Sequence, residues 1–207
     1  NRTGNTERVI QQRSKIMEGR RMEAISVIEI MNREISFLHE SAGSWLSEHL
    51  PTIVDNWWQE LVLSNLSVSD YNQVIKDGIH DIDQLSLPLQ LQVLDRNWFV
   101  LSRRFNLDNC DRELIHRMQA IYARWSEIRP CDLTSGSILD DASVVMDLMN
   151  IFGASPVSGS DLAEIIKKLE DGEPVLADGQ GIEASKNSSE FKNDHHANRA
   201  GSQEENL

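Results

Sequence analysis

The chain has only two cysteines among 207 residues, Cys110 and Cys131. They are too few for a disulfide framework and lack metal-ligand spacing, so both are expected to be free thiols in a reducing, intracellular compartment: the cytoplasm or, in a eukaryote, the nucleus. No apolar run nears the ~18 residues of a bilayer span, and no membrane segment is predicted. Sustained strand alternation is missing, so almost no sheet is expected. The chain opens on Asn1 and shows no charged-then-apolar leader, which makes it an expected piece of a longer polypeptide whose other part holds the chemistry.

Basic charge is also scarce. A net charge of −13 argues against non-specific binding along a nucleic-acid backbone, which needs clustered Lys and Arg. The charge is uneven: from Glu170 onward nine acids face three bases, against 24 acids and 17 bases over residues 1–169. A local basic strip, Arg2, Arg8, Arg13, Lys15, Arg20 and Arg21, lies among the first 21 residues. It is expected to be a solvated helix face, with an RNA-binding or partner-binding role as the sharper alternative.

What the chain has in quantity is helical period. Four apolar seams alternate three and four residues apart: Ala24–Ile28–Met31–Ile35–Leu38, Leu91–Leu94–Trp98–Leu101–Phe105, Leu114–Met118–Ile121–Trp125–Ile128, and Ala142–Val145–Met149–Phe152. Four such stripes can bury one another, so an all-α bundle of four main helices plus short ones is predicted. The boundaries follow from local chemistry. Gly43 should interrupt the first segment, and Pro51 should start a shorter helix through Trp57, Trp58, Leu61 and Val62. Ser69 and Asp70 should cap a small helix ending near Gly78. Ser86 with Pro88 and Asp108 or Asn109 should cap the next two, Pro130 should stop the third seam, and Gly153 should end the fourth. The domain map is therefore a basic N-terminal extension or helix start (1–21), a helical domain (22–155), a joint with a short helix capped by Ser160 (156–171), and a disordered acidic tail (172–207).

Catalytic signatures are absent. There is no glycine-rich phosphate loop, GxSxG elbow or HExxH, and no cofactor or metal is called for. Asp194, His195 and His196 are a weak metal candidate in the tail. His49, His80 and His116 look isolated, and the acidic pairs Asp81/Asp83 and Asp140/Asp141 are expected at helix starts, where the dipole favours them.

More specific are three tryptophan-centred stretches: Asn56-Trp57-Trp58-Gln59-Glu60-Leu61, Leu94-Asp95-Arg96-Asn97-Trp98, and Arg124-Trp125. An indole beside Asn, Asp or Arg often marks a helix crossing with a polar rim. In order and separation these stretches resemble the HEPN superfamily of helical domains, over about Ile25 to Ser155. The branch concerned occurs beside a PIN nuclease in a eukaryotic mRNA-surveillance endonuclease and in bacterial helicase- or ATPase-associated proteins. It carries a WW-containing helix, an Asp-x-Asn-Trp motif (here Asp95 to Trp98), a helix bearing Arg-Asn-x-Trp-Ala-His, and a final apolar helix. The resemblance implies metal-independent ribonucleases acting through that Arg and His, usually across a dimer cleft. Here the six positions read Tyr122, Ala123, Arg124, Trp125, Ser126 and Glu127. Tyr122 replaces the phosphate-stabilising Arg, Ala123 the polar Asn, and Glu127 the proton-moving His. A separate Arg-x5-His, Arg33 and His39, is of a kind expected about once by accident among 14 Arg and six His.

The leading expectation is a non-catalytic, HEPN-like interaction or dimerisation module of a larger nucleic-acid-processing or defence protein. It would pair with itself through the helix of Trp125, or with a partner protein or domain. The alternatives are a metal-independent endoribonuclease using Arg124 with Glu127, or Arg33 with His39, and an RNA-binding domain using the N-terminal strip with Arg96, Arg103, Arg104 and Arg124.

Overall fold

A computed structural model describes residues 3–154, 159–171 and 176. The expected tail, 172–207, lies outside the described residues except for Leu176. The class is all-α, with no strand among the described residues. The α-helices are α1 (Thr3–His49), α2 (Val68–Asp77), α3 (Leu87–Arg96), α4 (Trp98–Phe105), α5 (Asn109–Glu127), α6 (Ser135–Ile151) and α7 (Ser160–Glu170).

The core is organised around α1. Its buried residues Ala24, Val27, Met31, Ile35, Leu38, Ala42 and Leu46 keep the three-and-four spacing that puts them on one side. Against them pack α3, α5, α6 and α7. At 47 residues α1 is about 70 Å long. Its first described buried residue is Ala24, and the basic strip from Arg8 to Arg21 belongs to the same helix as the first seam.

Gly43 does not interrupt α1. A Cβ there would lie 2.8 Å from Gln90 Nε2 and 3.0 Å from Asp83 Cα. The glycine lets α1 approach the segment 82–90, and that close approach outweighs its poor helix propensity.

The second seam stays buried but breaks into two helices at Asn97. The side-chain amide of Asn97 donates to the carbonyls of Val93 (2.7 Å) and Leu61 (2.8 Å) and accepts from Asn65 Nδ2 (3.3 Å). The same polar hub explains another departure. The helix expected from Pro51 through Val62 is instead a 3-10 turn (Leu50–Thr52), a π-helix (Trp58–Val62) and a second 3-10 turn (Leu63–Asn65). The carbonyl of Leu61 accepts from both Asn97 and Asn65 side chains, which support the distorted backbone. The two tryptophans of the WW pair meet edge to face at 5.7 Å on this irregular segment, not on an α-helix.

Caps set most other boundaries. Ser67, two residues before the expected Ser69, caps α2, because its hydroxyl accepts from Asp70 N–H (3.2 Å) and donates to Asp70 Oδ2 (2.6 Å). Ser86 precedes α3 with proline in the first turn, and Asp108 and Asp111 form a reciprocal capping box on α5. α5 ends before Pro130 and α6 before Gly153. The cap of α7 is Gly159, not Ser160, which is already helical.

Candidate functional site

Residues 122–127 occupy the last turns of α5, which packs against α6. Its central feature is a buried carboxylate. Asp141 is 4% exposed and lies within α6, well past the helix start, so the dipole is not what holds it there. One oxygen, Oδ2, accepts the Trp125 indole N–H at 2.7 Å; the other, Oδ1, accepts from the Arg124 guanidinium. Both carboxylate oxygens are thereby engaged, which offsets the desolvation of the charge. Trp125 and Arg124 thus clamp α5 to α6, and Tyr122 packs half-buried against the core.

Beside this clamp an open cleft of about 360 Å³ is lined by Ala123, Arg124, Glu127, Asp132, Thr134 and Ser137, with Ile128. Its Arg124 is committed to Asp141, and its other charges are the carboxylates of Glu127 and Asp132. Asp132 accepts from Arg129 Nε at 3.0 Å, and that guanidinium holds the Asp132 carboxyl below the usual carboxylate range. With Arg124 paired to Asp141 and Asp132 to Arg129, Glu127 leaves the cleft one net negative charge.

Neither alternative catalytic pair forms an ion pair or hydrogen bond, although Arg124 and Glu127 line the same cleft. Arg124 is held by Asp141 and not by Glu127. Arg33 bonds Asp161 of α7 and Glu34, whereas His39 Nε2 lies 2.6 Å from the Leu85 carbonyl. Six residues along an α-helix separate side chains by about 120° around the axis, so the two point to different neighbours.

A cluster missed in the sequence lies where α3 meets α5. Asp95 Oδ1 accepts from Arg112 Nε at 2.8 Å and lies 2.9 Å from His116 Nε2. His116 is therefore not isolated. The signal was available in the i, i+4 spacing of Arg112 and His116, but the carboxylate that joins them is 21 residues from His116. Burial alone would raise the Asp95 pKa; the hydrogen bonds from Arg112 and His116 together outweigh it, and the net shift is downward. A carboxylate with a depressed folded pKa contributes stability above its unfolded pKa, near 3.8, and loses it as pH falls through the folded value. We expect Asp95→Asn to cost up to about 1 kcal/mol at pH 7 and to flatten the acid limb of stability below about pH 4. Urea titrations from pH 7 to 2 check this; an unchanged acid limb would exclude the ion pair as a contributor.

Of the proposed RNA-contacting residues, Arg96, Arg103 and Arg104 are exposed around α4, with the Arg103 guanidinium 4.1 Å from the Phe99 ring centroid. Arg124 is the fourth, and it is the one paired with Asp141. Lys15 of the N-terminal strip is exposed on α1, and Arg2 lies outside the described residues. So do Asp194, His195 and His196; among the described residues no group of three or more side chains could hold a metal ion. No described helix is long and apolar enough to cross a membrane. Comparison with family models, with curated proteins and with solved structures finds no match to this chain.

Proposed function

We propose that this chain is a catalytically silent, HEPN-like helical module that docks or pairs components of a larger intracellular nucleic-acid-processing or defence protein. The observation that carries this reading is the use of Arg124 and Trp125. Within the degenerate motif, the one cation and the indole are both spent on Asp141, and the neighbouring cleft is acidic. A ribonuclease of this kind needs a cation free to stabilise phosphate charge beside a group that moves protons, and with Arg124 spent on Asp141 this segment has no free cation to set beside Glu127. Trp125 is buried, so any pairing through α5 would use its polar outer face.

One observation favours a second reading. Arg112 and His116 share a face of α5, and Asp95 orients both, which is a constellation able to place a base beside a cation. A single assay separates the two. The full chain, incubated with single-stranded and hairpin RNA in the presence of a chelator, is expected to leave both intact. Cleavage that disappears in His116→Ala would install the ribonuclease reading in place of the silent module.

A further inference from the structure

The outer face of α4 combines exposed apolar side chains with arginine. Trp98 and Leu101 point inward, while Phe99 and Val100 are 66% and 41% exposed. On α4 itself Arg103 and Arg104 lie three and four residues beyond Val100, on the same side of the helix, and Arg96, the last residue of α3, is exposed just before the break at Asn97. Among the described residues none of the three arginines has an ion-pair partner. Three unpaired cations around two exposed apolar side chains are conspicuous in a chain of net charge −13.

We propose that this face of α4 docks an acidic amphipathic segment of a partner protein, a proposal that rests on the reading of the chain as an interaction module. An aromatic anchor rimmed by arginine is the composition of an interface centre. Phe99 and Val100 gain by meeting apolar side chains, and the unpaired arginines gain by meeting carboxylates. RNA fits less well. One face of the Phe99 ring is already covered by Arg103, Val100 offers nothing to a base, and three cations make a short track for a phosphate backbone. α2 also exposes Val68, Tyr71 and Ile75, but Asp70, Lys76 and Asp77 around them are of mixed sign and select no partner.

The test is selection of a phage-displayed library of 16-residue peptides on the full chain, followed by chemical-shift mapping of the winners. The expected winners carry Asp or Glu around a pair of large apolar residues, shift amides of α4, and lose at least tenfold in affinity against Phe99→Ser and against Arg103→Glu. Both positions are exposed, and circular dichroism should show each variant as helical as the parent. Winners without acidic residues, winners that map away from α4, or no winners would overturn the docking surface while leaving the silent-module reading standing. A uridine 20-mer that occupies this face with a steep salt dependence would overturn it in favour of RNA. A dimer dissolved by Phe99→Ser would overturn it in favour of a second copy.

Discussion

Asp141→Ala is expected to cost about 2 kcal/mol, chiefly because the buried Trp125 indole N–H loses its acceptor, while the half-exposed Arg124 can turn to water. The carboxylate is almost fully buried, and both of its oxygens are taken. Its removal leaves the Trp125 indole N–H facing a cavity with no acceptor, and it frees Arg124. Asp141→Asn keeps an acceptor for the indole but turns an NH2 toward Arg124, whose half-exposed guanidinium can move to water, so a smaller loss of about 1 kcal/mol is expected. Arg124→Met should also destabilise, because it strands a negative charge with a single neutral donor. Urea unfolding followed by tryptophan fluorescence at pH 7 ranks the three. A loss under about 1 kcal/mol for Asp141→Ala would mean that the clamp does not hold α5 to α6.

Gly43→Val is the second large effect, expected at about 3 kcal/mol, toward the upper end of what overpacking costs. The nearest atom to a new Cβ, Gln90 Nε2, ends a flexible side chain, but the next, Asp83 Cα at 3.0 Å, is backbone. Moving Gln90 also breaks its hydrogen bond to the Ile82 carbonyl (3.1 Å), and its Oε1 is already buried without a partner. Gly43→Ala should cost less, since alanine regains about 1 kcal/mol of helix propensity. Gly19→Ala is the control: nothing lies within 4 Å of the new methyl, so helicity should rise and stability should hold. Thermal melts of the three variants decide the matter. Equal melting temperatures for Gly43→Val and the parent would show that α1 does not need this close approach.

These two sites mark where local reading of the chain ends. Gly43 has the composition of a helix breaker, and only the crossing of α1 with residues 82–90 turns it into a contact point. Asp141 looks like half of an acidic pair at a helix start. Its burial depends on α6 being rotated so that Asp141, rather than the exposed Asp140, faces Trp125. The break at Asn97 has the same origin. The seam from Leu91 to Phe105 keeps perfect helical spacing, yet the Asn97 amide has partners in Val93 and in the distant Leu61, and the chain kinks to reach both. His116 looks isolated in the sequence for a related reason: a histidine's neighbours on its own helix are visible in spacing, whereas Asp95 arrives from another helix.

Taken alone, the order of residues determined the all-helical class, the faces of α1, α5 and α6 that turn inward, and most helix ends, including the Asp108 cap and the stops near Pro130 and Gly153. Those are local properties: a 3.6-residue period, a capping side chain within three residues, a ring that cannot donate. The tertiary structure alone decided that Arg124 and Trp125 share Asp141, that Arg33 and His39 part company, and that Arg112 and His116 meet on Asp95. Such pairings depend on how far each helix is rotated and at what angle it crosses its neighbour, and these are set by the packing of the whole core rather than by any short stretch of sequence.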